Sequence, residues 1–176
     1  MIEVKIIDAT NKEDIKLKNE EFQLWGRMIP SYENEKWAYT VREFAPKDVS
    51  RIRFPDENYQ YEEMSKNSIF IGAYDAGKCI GLAIMQEAFF KYMYLYDLKI
   101  KKAHRKQGVA NMLIEKAKEV AHSKGYRGIY TQAQDNNLSA CIFYVNTGFH
   151  IGGLDTKVYN GTVQEGKADI LFYLDI

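Results

Sequence analysis

The chain has 176 residues, room for one domain with a full hydrophobic core. Apolar residues make up 46% of it, with 13 Tyr and 9 Phe, which excludes a disordered chain. Lysine plus arginine equals aspartate plus glutamate at 24 each, so there is no basic excess with which to coat a nucleic acid.

Two cysteines, Cys79 and Cys141, are too few for a disulfide scaffold and lack metal-ligand spacing, so they read as reduced, buried thiols. No basic start runs into an apolar stretch, so no signal peptide is expected. The strongest apolar run, 80–85, is far too short to span a bilayer. A soluble, cytoplasmic protein without metal, membrane or nucleic-acid partner is the expectation.

Residues 2–6 alternate apolar and polar and predict a first strand. Thr10 or Asn11 can cap a following helix. Phe22, Trp25 and Ile29 fall on one helical face, and Pro30 ends that segment. A polar turn follows at 31–34. Trp37, Tyr39 and Val41 alternate as in a strand, while Val41, Phe44 and Ala45 fit a helical turn equally well. The stretch 46–63 is the least regular. It is either a solvated loop with a short helix or, through Asp56, Glu57, Glu62 and Glu63 among Phe54, Tyr59 and Tyr61, an acidic, aromatic wall for a cation.

Residues 69–74 and 79–85 flank Asp75-Ala76-Gly77-Lys78 and predict a β-hairpin. A third strand over 92–100 continues the meander, with Tyr92, Tyr94, Tyr96, Leu98 and Ile100 on one face and Asp97 and Lys99 on the other. Next comes the basic loop 101–110. The helix after it, 111–123, carries an apolar stripe from Val109 to Ala121, with Lys116 at its edge and Gly125 as a left-handed cap. A strand over 127–133, a turn at 134–137 rich in capping residues, and a helix over 138–147 follow. Gly148 closes that helix, and Phe149 can pack back on its last turn. One more strand, suggested by 150–153 and 158–159, and a last one over 168–174 complete a mixed, mostly antiparallel sheet of six or seven strands flanked by helices. This is an α/β layer fold, expected as a single domain over 1–176.

Strand, glycine-bearing turn and helix start make a backbone cradle for an anion. The unbonded N–H groups of a first helical turn and the helix dipole both favour one there. Gly108 lets the backbone approach a ligand closely. Arg105, Lys106, Lys101 and Lys102 add charge suited to phosphate oxygens. In a neutral chain such a local basic feature matches one small anionic ligand.

Arg105-x-x-Gly108-x-Ala110 at a helix start is followed by Asn137-x-x-Ala140-x-x-Phe143-Tyr144-x-x-x-Gly148-Phe149. Together these resemble the acyl-CoA-binding core of the GNAT N-acetyltransferase superfamily, and the order of elements agrees. A second resemblance spans nearly the whole chain. Residues 22–34 with Trp37 and Thr40, then 134–138 with Ala140-Cys141, Phe143-Tyr144, Gly148-Phe149, Ile151-Gly152 and Asp155-Thr156, are similar to streptothricin acetyltransferases. That family acetylates an amine on the lysine-like arm of a cationic antibiotic with acetyl-CoA.

The resemblance implies roles. The backbone of Leu98, Lys99 and Ile100 would pair with the pantetheine amides of acetyl-CoA like an added strand. The N–H groups of Lys106, Gln107, Gly108, Val109, Ala110 and Asn111, with Arg105, would hold its pyrophosphate. Asn137 would bind the cofactor arm, and Tyr144 would protonate the leaving thiolate. The acceptor would be a small cationic amine, and a homodimer is compatible with that reading. Two positions depart from the pattern: Tyr96 and Gln132 stand where acidic residues are expected.

An alkyl amine has a pKa near ~10.4, so it must lose a proton before it can attack. Asp97, beside the implied reaction centre, is the first carboxylate for base or cation anchor, and Asp155 the second. The developing oxyanion needs backbone N–H donors, as at a distortion of the strand near Ile100. A tyrosine hydroxyl can deliver a proton without being ionised. Each role has a plainer rival: Tyr144 as a core tyrosine, Asn137 as a helix cap, Asp97 as a paired surface carboxylate.

Overall fold

The computed structural model describes residues 1–176. Its strands and helices are β1 (Glu3–Ile7), β2 (Phe22–Leu24), β3 (Gly26–Glu33), β4 (Lys36–Glu43), β5 (Ser50–Ile52), α1 (Tyr61–Met64), β6 (Ser68–Asp75), β7 (Lys78–Gln86), β8 (Tyr92–Ile100), α2 (Val109–Ser123), β9 (Gly128–Gln134), α3 (Leu138–Asn146), β10 (His150–Asp155) and β11 (Asp169–Asp175). Short 3-10 turns lie at Lys12–Lys16, Pro46–Asp48 and Lys102–His104. A mostly antiparallel sheet of seven strands and two small two-stranded ladders give the mixed α/β architecture that the sequence predicts. No helix is long and apolar enough to cross a membrane. The chain divides into two compact units, interleaved in sequence.

The first unit holds 1–21, 53–129 and 176. Here β1, β6, β7 and β8 pair antiparallel in that order. The expected hairpin joins β6 to β7 through Ala76 and Gly77, at φ 47° and 75°. Two left-handed residues suit the twist of a tight hairpin. One face of these strands carries α2, which buries Val109, Leu113, Ile114, Ala117, Val120 and Ala121. Each fully buried valine, leucine or isoleucine among them contributes about 1.5–3 kcal/mol, so packing, not capping, holds this helix. The other face gathers Ile7, Ile15, Tyr59, Phe70, Leu82 and Ile84. Gly125 takes the left-handed conformation expected of it after α2, at φ 77°.

The tyrosine stripe does not follow the predicted alternation. In the β7–β8 ladder Ile84 faces Asp97 but Met85 faces Leu95, so Tyr96 is an inserted residue. Such a bulge reverses which face later residues occupy. Tyr96 therefore sits with Tyr94 and Tyr59, at ring separations of 5.9 and 6.1 Å, on the side of Asp97. Ile100 lies on the other face, where it and Leu113 approach Gly81.

The second unit holds 22–52 and 130–175. The helix expected over 22–30 is two strands instead. Residues 24, 26 and 28 are buried in alternation, a period of two, while Ile29 is exposed. Glycine and proline both oppose a helix interior, and Pro30 is tolerated because β3 and β4 form a ladder of only two strands. The β3–β4 turn uses Asn34 and Glu35 at φ 50° and 62°, which also settles residues 37–41 as strand. In β10 a register shift leaves Gly152 unpaired between Ile151 and Gly153. The strand expected at 158–159 is a turn, and β10 runs on to Asp155.

Candidate active site

The basic loop keeps its predicted form. After β8, Lys101 N donates to Ile80 O at 2.9 Å, and a 3-10 turn over Lys102–His104 leads to Lys106 at φ 60° and Gly108 at φ 80°. A left-handed lysine costs roughly 1–2 kcal/mol, so the turn is held by other contacts. Arg105 supplies them: its Nε donates to Ile100 O at 3.1 Å and its Nη1 to Glu21 O at 2.9 Å. Gln107 Nε2 donates to Ala103 O at 2.9 Å, and the Lys102 amide donates to Glu20. Arg105 thus spends two of its five donors on shaping the loop.

Gly108 is the N-cap of α2 and offers no side-chain cap. The first bond of the helix runs from Met112 N to Gly108 O at 3.1 Å, so the Val109 and Ala110 amides open the helix without an acceptor four residues back in it. A Cβ built on Gly108 would meet nothing within 4 Å. Open space over a left-handed glycine at a helix start fits a diphosphate approaching the backbone.

On β8, the Tyr96 bulge brings Asp97 into a half-buried charged cluster. Tyr59 Oη donates to Asp97 Oδ2 at 2.8 Å, and Lys99 Nζ lies 3.3 Å from the same oxygen. Lys99 also bonds Glu57 and Leu17 O, the latter at 3.3 Å, and sits 5.2 Å over the Tyr59 ring. Its side chain is 7% exposed. Burial pushes the Asp97 carboxyl above its ordinary range, against the Lys99 charge and the Tyr59 hydrogen bond, which pull it down. For Glu57 the balance reverses: burial opposes ionisation, but hydrogen bonds from Lys99 and Asn19 hold it below its ordinary range. Burial and Asp97 push the Tyr59 hydroxyl far up, so it stays protonated.

The acidic, aromatic wall of 54–63 is therefore partly built. Glu57 and Tyr59 face a cation, and that cation is the chain's own Lys99. Asp56 instead caps the Asn19 amide and pairs with Arg53, and Glu62 pairs with Lys12. Sequence reasoning missed the joint role of Tyr59, Glu57 and the Lys99 side chain. The unusual lysine at an inward strand position, two residues from Asp97, was its only local signal.

In the second unit, Asn137 caps α3, its side chain accepting from Ala140 N at 3.3 Å. The plainer reading of Asn137 holds, and a second role remains compatible with it. The turn before it is clamped from both sides. Met28 N donates to Asp135 O and Asp135 N to Ala168 O, each at 2.9 Å, and Arg27 lies 3.2 Å from the Asp135 carboxylate. Trp25 Nε1 donates to Ser139 Oγ at 2.8 Å, and Gly26 bridges to Asn137. These contacts explain why Trp25-Gly26-Arg27 and 134–138 belong together.

Tyr144 is buried on α3, its ring 5.2–5.4 Å from those of Phe143, Phe149 and Phe172. Phe149 packs back as expected. Asp155, the second carboxylate, is exposed and accepts from the amides of Lys157 and Val158, a turn-forming role. Burial pushes the thiols of Cys79 and Cys141 up to about 11 and about 12, consistent with inert core residues.

A left-handed glycine turn opens α2, and the bulged strand before it carries the half-buried Asp97 carboxylate, an arrangement compatible with binding a phosphorylated carrier. The model of the acetyltransferase (GNAT) family matches residues 31–149. Streptothricin acetyltransferase A of Bacillus subtilis (strain 168) is 32% identical over 163 residues, 93% of this chain and 94% of the relative. A Bacillus anthracis protein provisionally assigned as a streptothricin acetyltransferase, solved with acetyl coenzyme A, superposes with a TM-score of 0.89 over 100% of both chains at 26% identity. Nourseothricin acetyltransferase shares the fold, with a TM-score of 0.80 over 99% of this chain and 98% of that one at 20% identity. The chain belongs to the GNAT acetyltransferase family.

Proposed function

We propose that this acetyltransferase moves the acetyl group of acetyl-CoA to a primary amine of a small cationic acceptor, with streptothricin as the leading candidate and antibiotic resistance as the outcome. The names of the relatives support the acceptor. The observation that carries the donor is the left-handed Lys106–Gly108 turn with its open helix start. The cytoplasm is the proposed site of action.

The amides from Lys106 to Asn111, shaped by Arg105, would hold the pyrophosphate, and the backbone of Leu98–Ile100 the pantetheine arm, with Asn137 assisting. Acetyl-CoA supplies an activated acyl carbon. Asp97 takes the proton that an ammonium must lose before it can attack, directly or through water. Tyr144, whose ring is immobilised by three phenylalanines, gives a proton to the departing sulfur.

A thiol-release assay with acetyl-CoA tests this reading. Turnover with streptothricin is expected, and silence with streptothricin, lysine analogues, polyamines and peptide amines would overturn it. A second test addresses the cradle alone. Gly108→Val should weaken CoA binding about tenfold or more in calorimetry, since it fills the approach and strains a left-handed position by roughly 1–2 kcal/mol. Unchanged affinity would place the diphosphate elsewhere.

A further inference from the structure

Asp97 has two carboxylate oxygens, and the structure treats them differently. Both contacts, the Tyr59 hydroxyl at 2.8 Å and the Lys99 ammonium at 3.3 Å, fall on Oδ2. No protein donor engages Oδ1, and the Asp97 side chain keeps 18% of its surface accessible. Tyr59 is itself buried, 8% exposed within the cluster of Ile7, Ile15, Phe70, Leu82 and Ile84. Lys99 is pinned by Leu17 O, Glu57 and the Tyr59 ring. The partners of Asp97 are thus themselves fixed from three directions: the 3-10 segment, the 53–60 stretch and β8.

We infer that Tyr59 and Lys99 are positioning residues for acetyl transfer, locking Asp97 by Oδ2 so that Oδ1 alone faces the acceptor amine. The inference rests on Asp97 being the proton acceptor. A carboxylate anchored on one edge cannot rotate, and its second edge stays aimed through the reaction. The proton moves from the ammonium nitrogen to Oδ1, and the amine lone pair is released for attack. Around Asp97 stand Tyr59, Glu57 and Lys99, with Tyr94 and Tyr96 on the same side of β8 and apolar Ile84 opposite on β7.

The test compares Tyr59→Phe, Lys99→Met, Asp97→Asn and a control, Tyr61→Phe, whose ring packs on Phe70 in the same core at 5.5 Å. Three readouts are used: kcat and KM for the amine, the pH profile of kcat/KM, and a carbon-13 NMR titration of the Asp97 carboxyl in the unliganded protein. The Tyr59 hydrogen bond and the Lys99 charge both favour the ionised carboxylate. Removing either should therefore move the acid limb and the NMR titration of Asp97 to higher pH. Tyr59→Phe should lower kcat about tenfold with the amine KM within about twofold. Tyr61→Phe should move neither limb nor titration. Asp97→Asn should lose about 100-fold in kcat.

The outcomes separate the two levels. Full activity in Asp97→Asn would sink the assignment of the base. An inactive Asp97→Asn together with an unmoved limb and NMR titration in Tyr59→Phe would sink the positioning role and leave the base standing. A Tyr59→Phe protein that unfolds would be replaced by Lys99→Arg, which keeps the charge. An acid limb and titration close to wild type in Lys99→Arg, against the raised ones of Lys99→Met, would support the inference. An Arg variant shifted as far as Met would overturn it.

Discussion

Tyr144→Phe is expected to lower kcat by about 100- to 10,000-fold, the range general acid catalysis supplies, while leaving the fold intact. The substitution removes one oxygen and keeps the ring that Phe143, Phe149 and Phe172 hold at 5.2–5.4 Å. The KM for acetyl-CoA should change little, because the loss is confined to the reacting sulfur. The deficit should also depend on pH with a definite sign. A thiol of ordinary pKa near ~8.5 leaves as a stable thiolate in alkali and needs no proton there. The gap between variant and wild type should therefore be widest near neutrality and narrow above about pH 9. Steady-state rates across that range measure it. A variant within threefold of wild type at pH 7 would make Tyr144 a core residue and nothing more.

What the sequence reveals follows the range of the interactions involved. The left-handed turn into α2 is legible because all its parts are local. A strand, Gly108 and a helix start lie within a dozen residues, and the backbone angle of Gly108 follows from its having no β-carbon. Asn137 as a cap and Phe149 folding back on Tyr144 are legible for the same reason. The half-buried cluster at Asp97 is not. Tyr59 and Glu57 come from an irregular segment 38 and 42 residues before the β8 residues they meet, and no periodicity announces them. Asp97 was singled out by its place on a strand beside the implied reaction centre, not through its partners.

Two errors share one cause, a degenerate pattern. Phe22, Trp25 and Ile29 fit a helical spacing, yet Gly26 and Pro30 weigh against a helix interior, and the buried positions alternate. Along β8, apolar residues occupy both the even positions 92–100 and the odd positions 93 and 95. The unbroken alternation of the even set hides the bulge at Tyr96. A bulge is set by the facing strand, which the run itself does not show. It has a chemical consequence here. Without the inserted residue, the Tyr59-facing side of β8 would present neither Tyr94 nor Tyr96 alongside Asp97.

Gly26→Ala should destabilise the protein by about 3 kcal/mol, at the upper end of what overpacking a filled site costs. Gly26 has an ordinary backbone angle, so its need is for space. A Cβ there would stand 2.5 Å from Leu138 Cδ2, 2.8 Å from Arg42 O and 3.3 Å from Glu43 Cα. Leu138 can rotate away only by leaving a site where it is fully buried. The Arg42 carbonyl cannot yield, because it lies in the β3–β4 ladder beside the Gly26–Glu43 pair. Strain must then pass to the Gly26 bridge with Asn137, and so to the cap of α3 and the turn that Asp135 clamps. For a chain of this length the loss corresponds to a fall in Tm of roughly 6–12 °C. Thermal and urea unfolding would read it, and the KM for acetyl-CoA should rise in the same variant if Asn137 touches the cofactor arm. A Tm within about 2 °C of wild type would show that the strand shifts without cost, and that close packing of β3 on Asn137 contributes little to either stability or the site.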